Sequence, residues 1–333
     1  MMPAYPWLAE SSQRLLALRR QLPHAILLHG RLGLGKFELA EAYVNLLLCE
    51  NRNAAMTQAC GACSSCHWLK LGHHPDFHLL QPGILDEIEA TGSERKKSEW
   101  IGVEQVRDAI DFLHLSSHRE GLRIVLIRPA EALNAAGANA LLKTLEEPAT
   151  RALLILVSHQ PSRLLPTVRS RCHQLKLELP EFGSAMAWLA EQGVRDAESC
   201  LSLAGGSPLL AMTLANEDYQ LRRRVLLTDL SSGKSAPVFV MAERYAKSDD
   251  AEFSLLLQSM QQWAYDLLAI TLADRVRYHR DFSEQLHGLA EHVNLYRLLQ
   301  WQQRLQQARR VGAHPLNIQM EMEDILLEYV AIY

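Results

Sequence analysis

Apolar residues in the first half of the chain fall into short runs separated by segments of helical spacing. Ala25–His29, Phe77–Leu80 and Arg123–Ile127 are largely apolar runs of four or five residues, and Leu153–Val157 is apolar throughout. Runs this short, without polar alternation, predict strands buried on both faces. Ahead of them, Leu8, Leu15, Leu16, Leu18 and Leu22 give residues 8–22 a helical spacing. Phe37–Leu48, Val103–Leu113 and Ala135–Glu147 read the same way, the last stopped by Pro148. Strands alternating with helices predict a parallel sheet covered on both sides. Residues 83–100 are polar, glycine-containing and of mixed charge, and predict a mobile loop.

After Pro180 the strand pattern stops. Residues 181–215 read as a small helical unit interrupted at Gly205-Gly206-Ser207-Pro208, and from about Tyr219 every periodic segment is helical. The clearest is the last, where Asn317 can cap a helix carrying Ile318, Met322, Ile325, Leu326, Tyr329 and Val330 on one stripe. The predicted class is therefore α/β plus all-α, with domains over 1–179, 180–215 and 216–333. Taken alone, the helical half is a bundle without chemistry.

Composition narrows the classes without selecting one. Of 333 residues, 48% are apolar and 22% charged, which excludes disordered, collagen-like and disulfide-scaffold chains. Thirty-four basic and 38 acidic residues give a net charge of −4, so a nucleic-acid contact would have to come from a local patch. The longest clean apolar runs fall far short of the ~20 residues a membrane helix needs. The N-terminal segment has no basic region ahead of its apolar residues, so no secretory signal is expected and the cytoplasm is the expected compartment.

Four of the six cysteines cluster. Cys49, Cys60, Cys63 and Cys66 follow the spacing C-x10-C-x2-C-x2-C, whereas Cys172 and Cys200 stand alone in apolar surroundings. In a reducing compartment such a cluster predicts metal binding before disulfides. Two-residue spacings let a tight turn aim successive sulfurs at one tetrahedral ion, and four thiolates leave no open position. The expected ion is a structural Zn2+ that orders residues 49–67. His67, His73 or His74 could each replace one thiolate in the set.

Gly30-Arg31-Leu32-Gly33-Leu34-Gly35-Lys36-Phe37 matches G-x-x-x-x-G-K where a strand meets a helix. In that context Gly30, Gly33 and Gly35 permit a turn that aims backbone N–H groups at phosphate, and Lys36 can reach the outer phosphates. A hydrolysing loop carries Ser or Thr next, to bind Mg2+; Phe37 offers no oxygen. The end of the run Ile124–Ile127 should carry an acid for the same metal, yet the chain continues Arg128-Pro129. At an effective dielectric near 20, unit charges ~4 Å apart interact by about 4 kcal/mol, so a cation facing a divalent ion opposes its binding by about 8. Glu131, three residues on and in the next turn, is expected to be a poor substitute. The loop is expected not to function as a nucleotide site, with weak binding of phosphate or nucleotide without hydrolysis as the alternative.

Two further segments carry a family resemblance. Ala138-Asn139-Ala140-Leu141-Leu142-Lys143-Thr144-Leu145-Glu146-Glu147-Pro148 and Thr167-Val168-Arg169-Ser170-Arg171-Cys172 resemble the bacterial clamp-loader family of AAA+ proteins. The cysteine cluster after the phosphate-loop helix and Ile101-x-Val103-x-x-Val106-Arg107 point the same way, and the likeness runs from Trp7 to the C-terminus. The resemblance implies an AAA+ P-loop domain bearing the zinc module, a small helical lid, and a C-terminal helical collar. Family ATPases carry an arginine after Gly-Ser in the lid, where this chain has Gly206-Ser207-Pro208-Leu209-Leu210. With its degenerate loop and retained Ser170-Arg171-Cys172, the chain is similar to the family's non-hydrolysing subunit. That implies Arg171 as an arginine finger acting in trans on a neighbour's ATP, with Ser170 positioning its turn and Cys172 packing inward. The implied partners are gamma/tau ATPase subunits and a delta subunit, in a ring of five that places a sliding clamp on primed DNA for DNA polymerase III. The alternative is an ATP-hydrolysing gamma/tau-like motor.

Overall fold

A computed structural model describes residues 5–53, 55–83, 85, 98–114, 121–248, 250–311 and 317–333. The predicted loop at 83–100 therefore lies largely outside the described residues. The chain parts into two compact units, Met1–Pro180 and Glu181–Tyr333.

The first unit is built on a five-stranded parallel sheet: β1 (Ala25–His29), β2 (Phe77–Leu80), β3 (Arg123–Ile127), β4 (Ala152–Ser158) and β5 (His173–Lys176), in the order β2-β3-β4-β1-β5. Pairing sets Ala25 beside Leu154 and Ile26 beside His173. Alternate residues serve opposite cores. Ala25, Leu27, Val125, Ile127, Leu154 and Leu156 pack with α4 (Val103–His114), α5 (Ala135–Glu146) and α6 (Pro166–Ser170). Ile26, Leu28, Ile124, Leu126, Ile155 and Val157 pack with α1 (Ala9–Leu18) and α2 (Lys36–Leu48). Burial on both faces is why these strands are continuous apolar runs.

The helix between α2 and β2 is short, α3 (Ser64–Lys70), and belongs to the cysteine cluster. Side-chain oxygens cap helices in both units: Asn134 accepts from the Gly137 amide to start α5, and Asn317 accepts from the Met320 amide to start the last helix.

The second unit is all helical among its described residues and holds two cores. One joins α7 (Phe182–Glu191), α8 (Ala197–Leu203) and α9 (Pro208–Leu214). Gly205 and Gly206 interrupt the path with φ of +60° and +90°, and Pro208 begins α9. The larger core joins α10 (Glu217–Ser231), α11 (Val238–Tyr245), α12 (Asp250–Ala273), α13 (Ser283–Ala290), α14 (Leu295–Val311) and α15 (Ile318–Val330). Met322, Ile325, Leu326 and Tyr329 of the predicted stripe are buried, and the Tyr329 hydroxyl donates to the Leu230 carbonyl at 2.6 Å.

Two buried polar groups organise this unit. The Asp266 carboxylate accepts from the backbone amides of Arg277, Tyr278 and His279 at 2.7–3.1 Å, fixing the turn after α12. Arg223 is buried and donates to both Asp281 oxygens, at 2.6 and 2.8 Å, and to His279 Nδ1 at 3.0 Å. A guanidinium can only donate, so Nδ1 accepts and the His279 proton sits on Nε2, 3.3 Å from the Ser259 carbonyl.

Burial, with Arg223 beside the ring, pulls the His279 pKa down to about 3 from an ordinary 6.5. The unfolded chain takes up this proton as pH falls through about 6.5, while the folded chain resists until about 3. Stability linked to His279 is thus complete above that window and lost going down through it, at up to about 1.4 kcal/mol per pH unit. The melting temperature of the wild type is expected to fall more steeply between pH 6.5 and 4 than that of His279→Gln. Parallel profiles in thermal denaturation would show that the imidazole does not stay neutral in the fold.

Candidate functional site

The phosphate-loop residues form one turn at the end of β1. Gly33 and Gly35 have φ of +78° and +82°, and Gly35 is the N-cap of α2 without a capping side chain. A Cβ on Gly35 would lie 2.8 Å from the Tyr5 ring, and one on Gly30 would lie 2.6 Å from the Leu177 carbonyl. The loop is thus packed under the segment before α1, where Trp7 Nε1 also donates to the Leu34 carbonyl at 3.0 Å. Lys36 is buried and its Nζ donates back to the loop carbonyl of Arg31. Burial pushes the Lys36 ammonium down to about 8, partly offset by Glu131 and Glu38.

The two departures from a metal-binding loop meet in space. The Arg128 guanidinium lies over the Phe37 ring, 3.4 Å from its centroid, while its Nε donates to Gln81 Oε1 at 2.6 Å. A cation and an aromatic ring stand where a hydroxyl and a carboxylate would hold Mg2+, so these residues do not fit that metal. The contact is favourable in itself, by about 0.5–2 kcal/mol for a cation over an aromatic face.

Glu131 plays a larger part than its position in the following turn suggests. It lies in the 3-10 turn Ala130–Ala132 as expected, but one oxygen accepts from the amides of His159 and Gln160 at 2.9 and 3.2 Å, and its charge acts on Lys36. His159 is pulled down to about 4 by burial and by Lys36, so it is neutral. Lysine and glutamate therefore balance each other at the strand ends without a bound metal.

The four clustered cysteines are brought together. Their sulfurs all lie within 4.8 Å of one another, with Cys60 and Cys66 at 4.0 Å. Tetrahedral zinc with bonds of ~2.3 Å spaces its sulfurs ~3.8 Å apart, so this donor set fits such an ion closely. Cys49 follows α2, Cys60 and Cys63 lie on the turn leading into α3, and Cys66 sits in its first turn. Amides point at the sulfurs: Cys60 N to Cys49, Cys63 N to Cys60 and Cys66 N to Cys63, at 3.4–3.5 Å, with Asn51 Nδ2 3.5 Å from Cys60. Amides of Ala62 and Cys63 pull the Cys60 thiol down to about 6, while burial pushes Cys66 up to about 12. Four adjacent thiolates need a shared cation to ionise together.

His74 is occupied elsewhere: its Nε2 lies 2.8 Å from Ser65 Oγ, and its Nδ1 accepts from the Asp76 amide at 3.0 Å. Ser65 Oγ donates to the Leu48 carbonyl at 2.6 Å, so this imidazole ties α3 to the end of α2 and to the start of β2. His67 and His73 are exposed and outside the sulfur cluster.

Arg171 follows α6 at the far edge of the sheet's helical cover. Its Nη2 is paired with Glu146 Oε1 at 2.6 Å and its Nη1 donates to the Thr167 carbonyl at 3.1 Å. The pair is exposed, 35% for the arginine side chain and 53% for the glutamate, a setting in which ion pairs contribute about 0.2–1 kcal/mol. Ser170 Oγ donates to the same Thr167 carbonyl at 3.1 Å, which tightens the turn. Cys172 is buried, donates to the Val168 carbonyl, and burial pushes its thiol up to about 12, so it packs rather than reacts. Three participants were not evident from sequence: the Arg128–Phe37 contact, Glu131 as the lysine's counter-charge, and Glu146 as the arginine's partner. Each is a pairing between residues far apart in the chain.

Comparison with known proteins adds a family. The family described as "DNA polymerase III, delta subunit" matches residues 12–181. A protein of Pseudomonas aeruginosa named "DNA polymerase III subunit delta'" is 36% identical, over 87% of this chain and 83% of its own length. Proteins of the same name from Yersinia pestis and Escherichia coli are 33% and 32% identical, over 79% and 68% of this chain and 75% and 65% of their own lengths. Among solved structures, a DNA polymerase III gamma subunit-related protein of Thermotoga maritima aligns over 96% of this chain and 99% of its own, at 18% identity and a TM-score of 0.48.

The sulfur cluster makes a direct prediction. The purified wild type is expected to carry about one tightly held metal ion per chain, and Cys60→Ser with Cys63→Ser to carry none and to melt several degrees lower. Metal content by atomic emission, with thermal melting, reads both; unchanged content in the double variant would remove the cluster as a metal site.

Proposed function

The chain belongs to the bacterial clamp-loader family as a DNA polymerase III delta prime subunit, and from that membership we propose how its residues divide the work of the complex. It is an accessory subunit of the replicative polymerase. In our reading it does not hydrolyse ATP itself. It presents Arg171 to the nucleotide of an adjacent gamma/tau ATPase and braces a delta subunit while a sliding clamp is opened and placed on primed DNA. Its place of action is the cytoplasm. No described helix is long and apolar enough to cross a membrane.

The observation that carries this reading is the Arg128 guanidinium stacked on Phe37. It fills the metal position in the chain's own loop with a cation and a ring, while Arg171 stays partly exposed at the end of α6. Metal-dependent phosphoryl transfer at Lys36 lacks both oxygen ligands. A guanidinium, by contrast, is always charged, and its planar fork matches phosphate oxygens. Residues 180–215 would serve as lid and 216–333 as the collar that packs with equivalent domains of the partners. The ion in the cysteine cluster would be zinc, in a closed structural role that holds 49–67 against α2.

Two measurements test the division. Purified chain alone is expected to show no ATP turnover, in the wild type or in Lys36→Ala; turnover abolished by Lys36→Ala would establish the gamma/tau-like motor instead. In a complex reconstituted with ATPase-competent partners, Arg171→Ala is expected to leave assembly intact and to slow hydrolysis at the adjoining site by a factor on the order of 10³ or more. Clamp loading slows with it. Normal hydrolysis and loading with Arg171→Ala would remove the arginine from the reaction.

A further inference from the structure

The two ends of the family's motifs meet in one ion pair. Glu146 is the last residue of α5 and Arg171 is the first residue after α6. The helices pack through Leu141, Leu145, Val168 and Cys172 in the core on that face of the sheet, so the core, rather than a flexible loop, sets the spacing of the two termini. Across it the guanidinium uses both terminal nitrogens within its own chain, Nη2 on Glu146 and Nη1 on the Thr167 carbonyl. Those are the donors a guanidinium needs to fork onto phosphate oxygens.

We infer that Glu146 is a positioning residue for Arg171, holding the guanidinium in cis and competing with the neighbouring subunit's nucleotide for it. This rests on Arg171 acting in trans. The competition is weak enough to be reversible, because both side chains reach solvent. An exposed pair of this kind shifts an equilibrium by about 1.5- to 5-fold. It therefore restrains the arginine when the facing phosphates are absent or poorly placed, and yields when a polyanionic nucleotide is presented squarely. Glu147, also exposed and next in sequence, brings the same charge to the region without pairing with Arg171 and serves as the control.

The test uses the complex reconstituted with ATPase-competent partners, comparing wild type, Glu146→Gln, Glu147→Gln, Arg171→Ala and the Glu146→Gln/Arg171→Ala double variant. Hydrolysis without clamp or DNA is expected to rise about 1.5- to 5-fold in Glu146→Gln, with a smaller stimulation by clamp and primed DNA. The rise is expected to vanish in the Arg171→Ala background and to be absent in Glu147→Gln. An unchanged or slower rate in Glu146→Gln, an equal rise in the double variant, or an equal rise in Glu147→Gln would each overturn the role given to Glu146. Those results leave the finger itself standing as long as Arg171→Ala alone slows hydrolysis. If Arg171→Ala alone has no effect, the finger falls and the proposal for Glu146 falls with it.

Discussion

The stack of Arg128 on Phe37 is the contact that gives the first unit its character. Either residue alone would leave a fault at the ends of the central strands. An aromatic ring would line a polar turn, or an arginine at the end of β3 would lack the ring it lies over. Together they satisfy each other at 3.4 Å, with Gln81 accepting from Nε and Glu131 balancing Lys36. The loop keeps the shape of a phosphate cradle, with Gly33 and Gly35 in the left-handed region, but its lysine is turned inward onto the Arg31 carbonyl. Glu131 and Glu38 partly offset the burial of that lysine.

The cysteine module is joined to the same sheet by polar contacts rather than by a large core. Ser65 and His74 link α3 to the Leu48 carbonyl and the Asp76 amide, and Asp76 lies beside the buried Arg123 at 3.9 Å. Arg123 in turn donates to the Phe112 carbonyl at 2.7 Å and lies over the Phe112 ring. Ordering the four sulfurs thus fixes the chain that leads from α2 into β2. Free energy of metal binding at the four sulfurs would become folding free energy through this route.

Much of this was legible in the sequence, for physical reasons that differ by element. β1, β3 and β4 lie inside the sheet, buried on both faces, and so appear as largely apolar runs, while the half-buried edge strand β2 was legible through Phe77, Leu79 and Leu80. β5 was not recognised: it is an edge strand, His173–Lys176, and only Leu175 in it is buried. The sulfur set was readable because its ligands are close in sequence and the chemistry demands that spacing. The three histidines nearby could not be assigned from spacing, since what removes His74 is a hydrogen bond to Ser65 formed only in the fold. Phe37 and Arg128 were each visible as departures. Their mutual contact was not, because it joins the start of α2 to the end of β3. Glu131 was placed in its turn correctly, but its hold on the His159 and Gln160 amides and its influence on Lys36 arise only in the fold.

Two arginine–carboxylate pairs show how one chemistry serves opposite ends. Arg223 and Asp281 are held with the arginine side chain 2% exposed, in a network with His279. Asp281 is 34% exposed, so the pair is only half-buried, but removing that carboxylate would leave the buried guanidinium without its counter-charge, which makes the pair structural. Arg171 and Glu146 use the same bidentate-capable donor and the same acceptor type at 35% and 53% exposure. Water stands ready to replace either partner, and separation costs about 0.2–1 kcal/mol. A guanidinium held that loosely, on a turn fixed by Ser170 and anchored by the buried Cys172 and Val168, combines a rigid base with a releasable tip. The Arg223 guanidinium is locked inside the fold, whereas that of Arg171 reaches solvent from a turn held by the core.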